Sequence, residues 1–311
     1  MRAIIIGIIA VFFFAFTFVL NQLMSDLGGD WMWSASLRYF FMVPFLLLLV
    51  LFKSGFKKMW SEIKKRPFAW FIYSQIGFGL FYAPLCFAAD YSPGWLVAGT
   101  WQITIVAGAL MSPLFYEKIQ TATGIVKVKG RIPLTGLCWS GVIIVGIIIM
   151  EVSHATTVGL KGIVLGTLPI IIAAFAYPYG NRKMMEVTEG RLNVFERVLG
   201  MTLCSLPTWL ILSIIAGTRS GIPSMSQVSN SIIIALFSGV IATLLFFKAT
   251  DLTQGRMKEL AAVEATQSME AVFSFILGLL ILNSAVPSLS AWIGLIVVVF
   301  GMTAHSLSQR N

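Results

Sequence analysis

Glu270 sits inside a long apolar stretch, in the order Gln267-Ser268-Met269-Glu270-Ala271-Val272-Phe273-Ser274. On a helix, Gln267, Glu270 and Ser274 share one face, because residues three and four apart are neighbours there. A charged side chain deep in a bilayer is costly, so it normally faces protein or water and marks a working position. The chemistry this carboxyl offers is exchange, since it can hold either a proton or a cationic ligand. The plain alternative is a structural carboxyl hydrogen-bonded to a neighbouring helix. Glu264 lies about one and a half turns earlier, on a different face. It is a second ionisable position, part of an access route, or the partner of Lys248 or Lys258.

Other polar groups inside apolar runs form a second tier. Trp101, Gln102 and Thr104 follow Thr100 in a stretch that aligns with the one around Glu270, with Thr104 opposite Glu270. Their hydroxyls and amides either orient a ligand or join helices. Arg38 and Arg197 stand early in equivalent runs. Each is either a carboxylate partner or a side chain snorkelling to the interface, and snorkelling is the commoner behaviour. Asn21 and Asn181 occupy matching places, the latter after Tyr177-Pro178-Tyr179-Gly180, where Pro and Gly predict a loosened helix with freed backbone groups. Broken helices at symmetric places point to ligand sites in transport proteins. Trp101, Tyr82 and Tyr177 could also pack on a lipophilic cation through their ring faces.

The elements that must position these residues are membrane helices. The chain is 58% hydrophobic and 11% charged, against about 25% charged in a soluble domain. Ten apolar runs approach the roughly 20 residues that cross about 30 Å of hydrocarbon. They are residues 3–24, 34–52, 68–89, 95–116, 134–150, 160–180, 193–216, 230–250, 259–282 and 288–307. The first is too long for a signal h-region and is expected to be a retained helix. The net charge of +9 resides in loops, so it fixes orientation rather than indicating nucleic acid. Lys53, Lys57, Lys58, Lys64, Lys65 and Arg66 fall in one loop. Lys118, Lys127, Lys129 and Arg131, then Arg182, Lys183 and Arg191, then Arg256 and Lys258, fall in others on the same side. By the positive-inside rule both termini face the cytoplasm. Cys86, Cys138 and Cys204 lie in separate runs, and His154 and His305 near run ends. No metal site and no cofactor is expected from that spacing.

The sequence repeats itself. Ala88-Ala89-Asp90-Tyr91-Ser92-Pro93-Gly94 returns as Ala249-Thr250-Asp251-Leu252-Thr253-Gln254-Gly255, each at the end of an apolar run. Ala15-Phe16-Thr17-Phe18, with Asn21 and Met24, echoes Ala174-Phe175-Ala176-Tyr177, with Asn181 and Met184. Trp139-Ser140-Gly141 before Gly146 echoes Trp292-Ile293-Gly294 before Gly301. Five runs of residues 1–155 therefore match five of residues 156–311, in order. Five is odd, so the second half enters the membrane from the other side. The expected fold is an all-α integral membrane protein of ten transmembrane helices in two inverted five-helix repeats. Opposed repeats are how many secondary transporters build a site that opens to either side.

These residues carry a family resemblance. Leu37-Arg38-Tyr39 early in the second run, the small-residue turn after the third and Pro113-Leu114-Phe115-Tyr116-Glu117 ending the fourth are its first features. Met269-Glu270-Ala271-Val272 in the ninth run and Trp-x-Gly in the fifth and tenth complete it. The chain resembles a ten-helix, EamA-like member of the drug/metabolite transporter superfamily, nearest its multidrug-resistance efflux branch. It departs from the pattern at Ala271, where the family often has Pro, and at Asn283, where it often has Glu. The resemblance implies a transport fold and does not choose a cargo.

The expected function is secondary active efflux of lipophilic or cationic small molecules in exchange for protons, across a cell membrane, most simply a bacterial plasma membrane. The expected partners are the small-molecule substrate, protons and the lipid bilayer. A homodimer is compatible with the sequence. One alternative is export of amino acids or related polar metabolites, with Arg38 or Arg197 as carboxylate partner. Another, from a different class, is a non-transporting membrane subunit. An enzyme is not expected, for the chain carries no His-Glu-x-x-His and no Gly-x-Ser-x-Gly.

Overall fold

Apolar runs without internal turn residues become helices, because in lipid every backbone polar group must be satisfied within the segment. The computed structural model describes residues 2–121, 124–132, 134–252, 263, 266–282 and 287–308. The chain begins with α1 (Arg2–Asp26) and α2 (Trp31–Lys53), then the short amphipathic α3 (Lys57–Lys65). Next come α4 (Pro67–Ala88) and α5 (Gly94–Leu110). A two-stranded antiparallel hairpin follows, β1 (Tyr116–Thr121) with β2 (Gly124–Lys129), pairing Tyr116 with Lys129. Then come α6 (Gly136–His154), α7 (Gly159–Thr188), α8 (Val194–Ser220) and α9 (Met225–Phe246). The last are α10 (Thr266–Leu282) and α11 (Leu289–Ser308). Seven of these, α1, α2, α4, α6, α7, α8 and α9, are long and apolar enough to cross a membrane, while α5, α10 and α11 are shorter apolar helices.

Local signals start and stop the helices. Asp30 caps α2 by accepting from Met32 N at 2.8 Å. Asn193 and Glu196 form a reciprocal capping box at the start of α8, each side chain accepting from the other's backbone N–H at 2.9 Å. That is where Glu196 spends its carboxylate. Gly159, at φ +71°, separates α6 from α7 in a conformation that a side chain would strain.

Four helices are irregular, and their irregularities pair. α4 contains a π-helical segment at Gln75–Gly79, and α9 one at Ala235–Ala242. α5 is interrupted between Gly94–Thr100 and Ile103–Leu110, and α10 opens with a 3-10 turn at Thr266–Ser268 before the α-helix at Met269. By contrast α7 runs helically through Pro178, so the loosening expected around Tyr177–Gly180 does not occur. Pro178 cannot donate to the carbonyl of Ala174, and the Thr104 hydroxyl donates to it instead, at 3.2 Å.

Helix contacts rely on small residues, since lipid tails are as apolar as leucine and close backbone approach does the joining. Gly77 of α4 lies directly on Gly180 of α7. Gly146 of α6 faces Gly294 of α11, and Trp139 packs edge-on against Phe300 in the same pair. One core cluster gathers Tyr39, Trp70 and Trp209 of α2, α4 and α8, with Tyr39 and Trp209 stacked at 4.2 Å. A second gathers Phe18, Trp101, Ile143, Ile170 and Val298.

Two expectations about extent need correction. The stretch 118–133, expected as loop, holds most of the hairpin, which the alternation Ile125-Val126-Lys127-Val128-Lys129 favours. The fifth run, expected to stop at 150, continues as helix to His154 and so takes Glu151 into the span.

Candidate functional site

A cavity of about 1170 Å³ lies between the helices. Its mouth is at the end that carries the hairpin and the α7–α8 loop, where Tyr116, Arg131, Glu189 and Gly190 line it and are exposed. Its walls are aromatic, with Phe14, Phe78, Phe81, Trp101, Phe115 and Tyr177 among the lining side chains. Phe81 joins this wall together, its ring 4.7 Å from Tyr177 and 5.1 Å from Trp101. At the far end the helices close. The Gly94 N–H donates to Gln22 Oε1 at 2.7 Å, and a Cβ at Gly94 would sit 2.6 Å from the Phe18 carbonyl oxygen. The Asp30 carbonyl accepts from Gln227 Nε2 at 2.7 Å and its carboxylate accepts from the Ser220 hydroxyl at 2.7 Å.

The irregular segments deliver the polar groups. Glu270 is 7% exposed, one residue into the α-helix that follows the 3-10 turn, and it lines the cavity. Gln102, in the break of α5, interacts with its carboxyl and also donates to Ala98 O at 2.9 Å. Arg38 is 7% exposed and also lines the cavity. Its Nη2 donates to Ser238 Oγ, in the π-helical segment of α9, at 3.2 Å. Ser238 Oγ accepts a second bond from the Thr17 hydroxyl at 2.5 Å. Tyr82, just past the π-helical segment of α4, lies under the guanidinium, and Asn21 Nδ2 donates to its hydroxyl at 3.2 Å. Tyr177, Glu270, Arg197 and Arg38 all line this one cavity.

The comparisons with known proteins bear on this architecture. The whole chain, residues 1–311, matches the family described as "EmrE: Putative multidrug resistance efflux transporter". The chain belongs to this efflux-transporter family. Membership confirms the resemblance read from the residues. It indicates a small-molecule efflux transporter rather than an enzyme, and the seven helices long and apolar enough to cross a membrane agree with a membrane protein. The chain is 49% identical over 310 residues to "Uncharacterized protein YjlA" of Bacillus subtilis (strain 168), covering 100% of this chain and 96% of that protein. It is 49% identical over 270 residues to an uncharacterized 42.1 kDa protein of Shouchella clausii, encoded in the intracellular alkaline protease 3' region, covering 87% of this chain and 70% of that one. A solved structure described as "Crystal structure of protein" matches with TM-score 0.63 and 14% identity, over 97% of this chain and 96% of that chain, and supports the fold alone.

Within the transporter, the residues singled out by sequence separate into two groups. Trp101, Thr104, Tyr177, Arg38, Arg197, Gln267 and Glu270 line the cavity. Asn21 and Gln102 are buried behind it, bracing Tyr82 and Glu270. Glu264 lies outside the described residues. Ser274 is fully buried and does not line the cavity beside Glu270. Arg38 does not snorkel: it is held inside the protein by Tyr82 of α4 and Ser238 of α9. Sequence reasoning passed over Glu151, which is 7% exposed and accepts from the Thr100 hydroxyl at 2.7 Å. It also passed over Ser238, a serine in an unremarkable apolar run. Its repeat position, opposite the glycine-flanked segment of α4, was the available signal.

Proposed function

We propose that this chain is a secondary active exporter that takes a lipophilic or cationic small molecule from the cytoplasm and exchanges it for protons at Glu270. One observation carries the reading: the cavity opens at one end of the molecule and reaches a buried carboxyl, with aromatic side chains lining the way. A carboxyl there must bind either a proton or the cargo's positive group, and that competition couples the two flows. The aromatic wall suits an apolar body, and ring faces attract cations.

We read the seven long and three shorter apolar helices as ten crossings, in inverted halves 1–155 and 156–311, with both termini cytoplasmic. The paired irregularities support this. The π-helical segments of α4 and α9 occupy matching places, as do the breaks of α5 and α10. The lysine-rich ends support the orientation, and in that orientation the cavity faces the cytoplasm.

The test is substrate-driven proton movement in vesicles that contain the purified protein. Glu270→Gln keeps the shape and removes the charge. It should abolish proton movement while the protein remains folded in the membrane. A Glu270→Gln variant that transports and moves protons like the parent would make the carboxyl structural.

A further inference from the structure

Arg38 is a buried cation, 7% exposed. Among the described residues no carboxylate forms an ion pair with it. Among the described residues its Nε and Nη1 have no hydrogen-bond acceptor, while Nη2 reaches Ser238. A guanidinium cannot shed its proton to escape this situation. A buried charged donor left unpaired is costly, so its retention calls for a partner that completes it. Because Arg38 lines the cavity, that partner can come from there.

The surroundings hold the guanidinium in place for such a partner. The Tyr82 ring supports one face at 4.0 Å. Ser238, fixed by Thr17, takes one N–H, and Asn21 fixes the Tyr82 hydroxyl. The remaining donors form the planar fork that matches a carboxylate or phosphate. Arg197, half-buried, also lines this cavity, whose described charged residues are Arg38, Arg131, Arg182 and Arg197 against Glu186, Glu189 and Glu270.

We propose that Arg38 docks an anionic group, carboxylate or phosphate, of a cargo whose body lies on the aromatic wall. The cargo class is then a zwitterion, whose amine meets Glu270 and whose anionic group meets Arg38. This deepens the export reading and rests on the cavity being the cargo site. Within the cationic cargoes of that reading, it selects those that also carry an anionic group.

The test compares three ligands that share one ring system and differ in charge: naphthoate, naphthylmethylamine and naphthylmethanol. Equilibrium binding to the purified full chain is read as thermal stabilisation against ligand concentration. Naphthoate should bind about tenfold or more tightly than naphthylmethanol, as expected for hydrogen bonds to a charged group. That preference should vanish in Arg38→Met and persist in Glu270→Gln. Arg38→Lys keeps the charge but not the fork, and should retain a reduced preference if Arg38→Met does not fold. Inorganic phosphate that competes with naphthoate would assign the site to the anionic group itself. Phosphate without effect would assign it to a carboxylate attached to an apolar body. No preference for naphthoate in the parent protein, or a preference unchanged in both Arg38 variants, overturns the proposal. Because binding is measured without a proton gradient, a failure of proton movement in vesicles leaves this result standing, and the converse also holds.

Discussion

The ring of Tyr82 lies 4.0 Å from the guanidinium carbon of Arg38, and both side chains are buried. The contact places a cation on an aromatic face, where desolvation makes the attraction worth about 2 kcal/mol. Tyr82→Leu should lose that contact and the bond to Asn21. Tyr82→Phe should lose only the bond, at about 1 kcal/mol. Thermal unfolding in one detergent should therefore rank parent above Phe above Leu. Equal stability of the two variants would show that the ring face contributes nothing.

Gly180 rests on Gly77, and a Cβ there would also come within 2.8 Å of the Tyr73 carbonyl oxygen. Gly180→Ala must push α4 and α7 apart, an overpacking cost of about 1–3 kcal/mol. Gly141 has nothing within 4 Å of an added Cβ, so Gly141→Ala should be neutral. The folded yield of each variant after extraction and size-exclusion chromatography separates the two cases.

Thr100 joins the break in α5 to Glu151 of α6 through a 2.7 Å bond. Thr167 lies beside the same carboxyl. Thr100→Val preserves shape and removes that bond from a buried carboxyl, which should cost about 1–3 kcal/mol. The double change Thr100→Val with Glu151→Leu should recover part of that loss. A double variant less stable than the single one would mean that Glu151 has a further partner.

Glu62 of α3 accepts from Lys65 Nζ at 2.7 Å and from Arg191 Nε at 3.0 Å. The bond from Lys65, and then that from Arg191, hold its carboxyl below the ordinary carboxylate range, against the opposing effect of burial. A carboxyl lowered in the folded state contributes stability above its unfolded pKa and loses it as the pH falls through the folded value. The attachment of α3 to the α7–α8 loop should thus be intact at neutral pH and weaken in acid, below the ordinary Glu value of about 4.3. Protection of the α3 amides, taken relative to the intrinsic exchange rate at each pH, should fall in acid for the parent. In Glu62→Gln that protection should be low throughout and should not change with pH.

Ile222, 92% exposed, and Lys58, exposed on α3, lie at opposite ends of the helices. Single cysteines at these places, with Cys86, Cys138 and Cys204 replaced, should label from opposite sides of the membrane. The Lys58 position should label only after the cell is opened. Labelling of both from outside contradicts the orientation and the inverted halves together.

The long helices were legible in the sequence because hydropathy is a local property: a segment either can or cannot satisfy its backbone in lipid, whatever its neighbours do. The candidate site was only half legible. Glu270 announced itself as an acid in an apolar run, whereas Glu151 was missed because the run was ended one residue too early.

Arg38 shows what only the tertiary structure decided. From its own helix it reads as a side chain able to stretch to the interface. Thr17, Tyr82 and Ser238 are far from it in sequence, and their packing alone turns it into a buried cation on a cavity wall. The same holds for Pro178, whose break in hydrogen bonding is repaired by Thr104 from another helix. Sequence fixes what each segment can bury. Which polar groups end up facing one another depends on contacts between segments, and those exist only once the helices are packed.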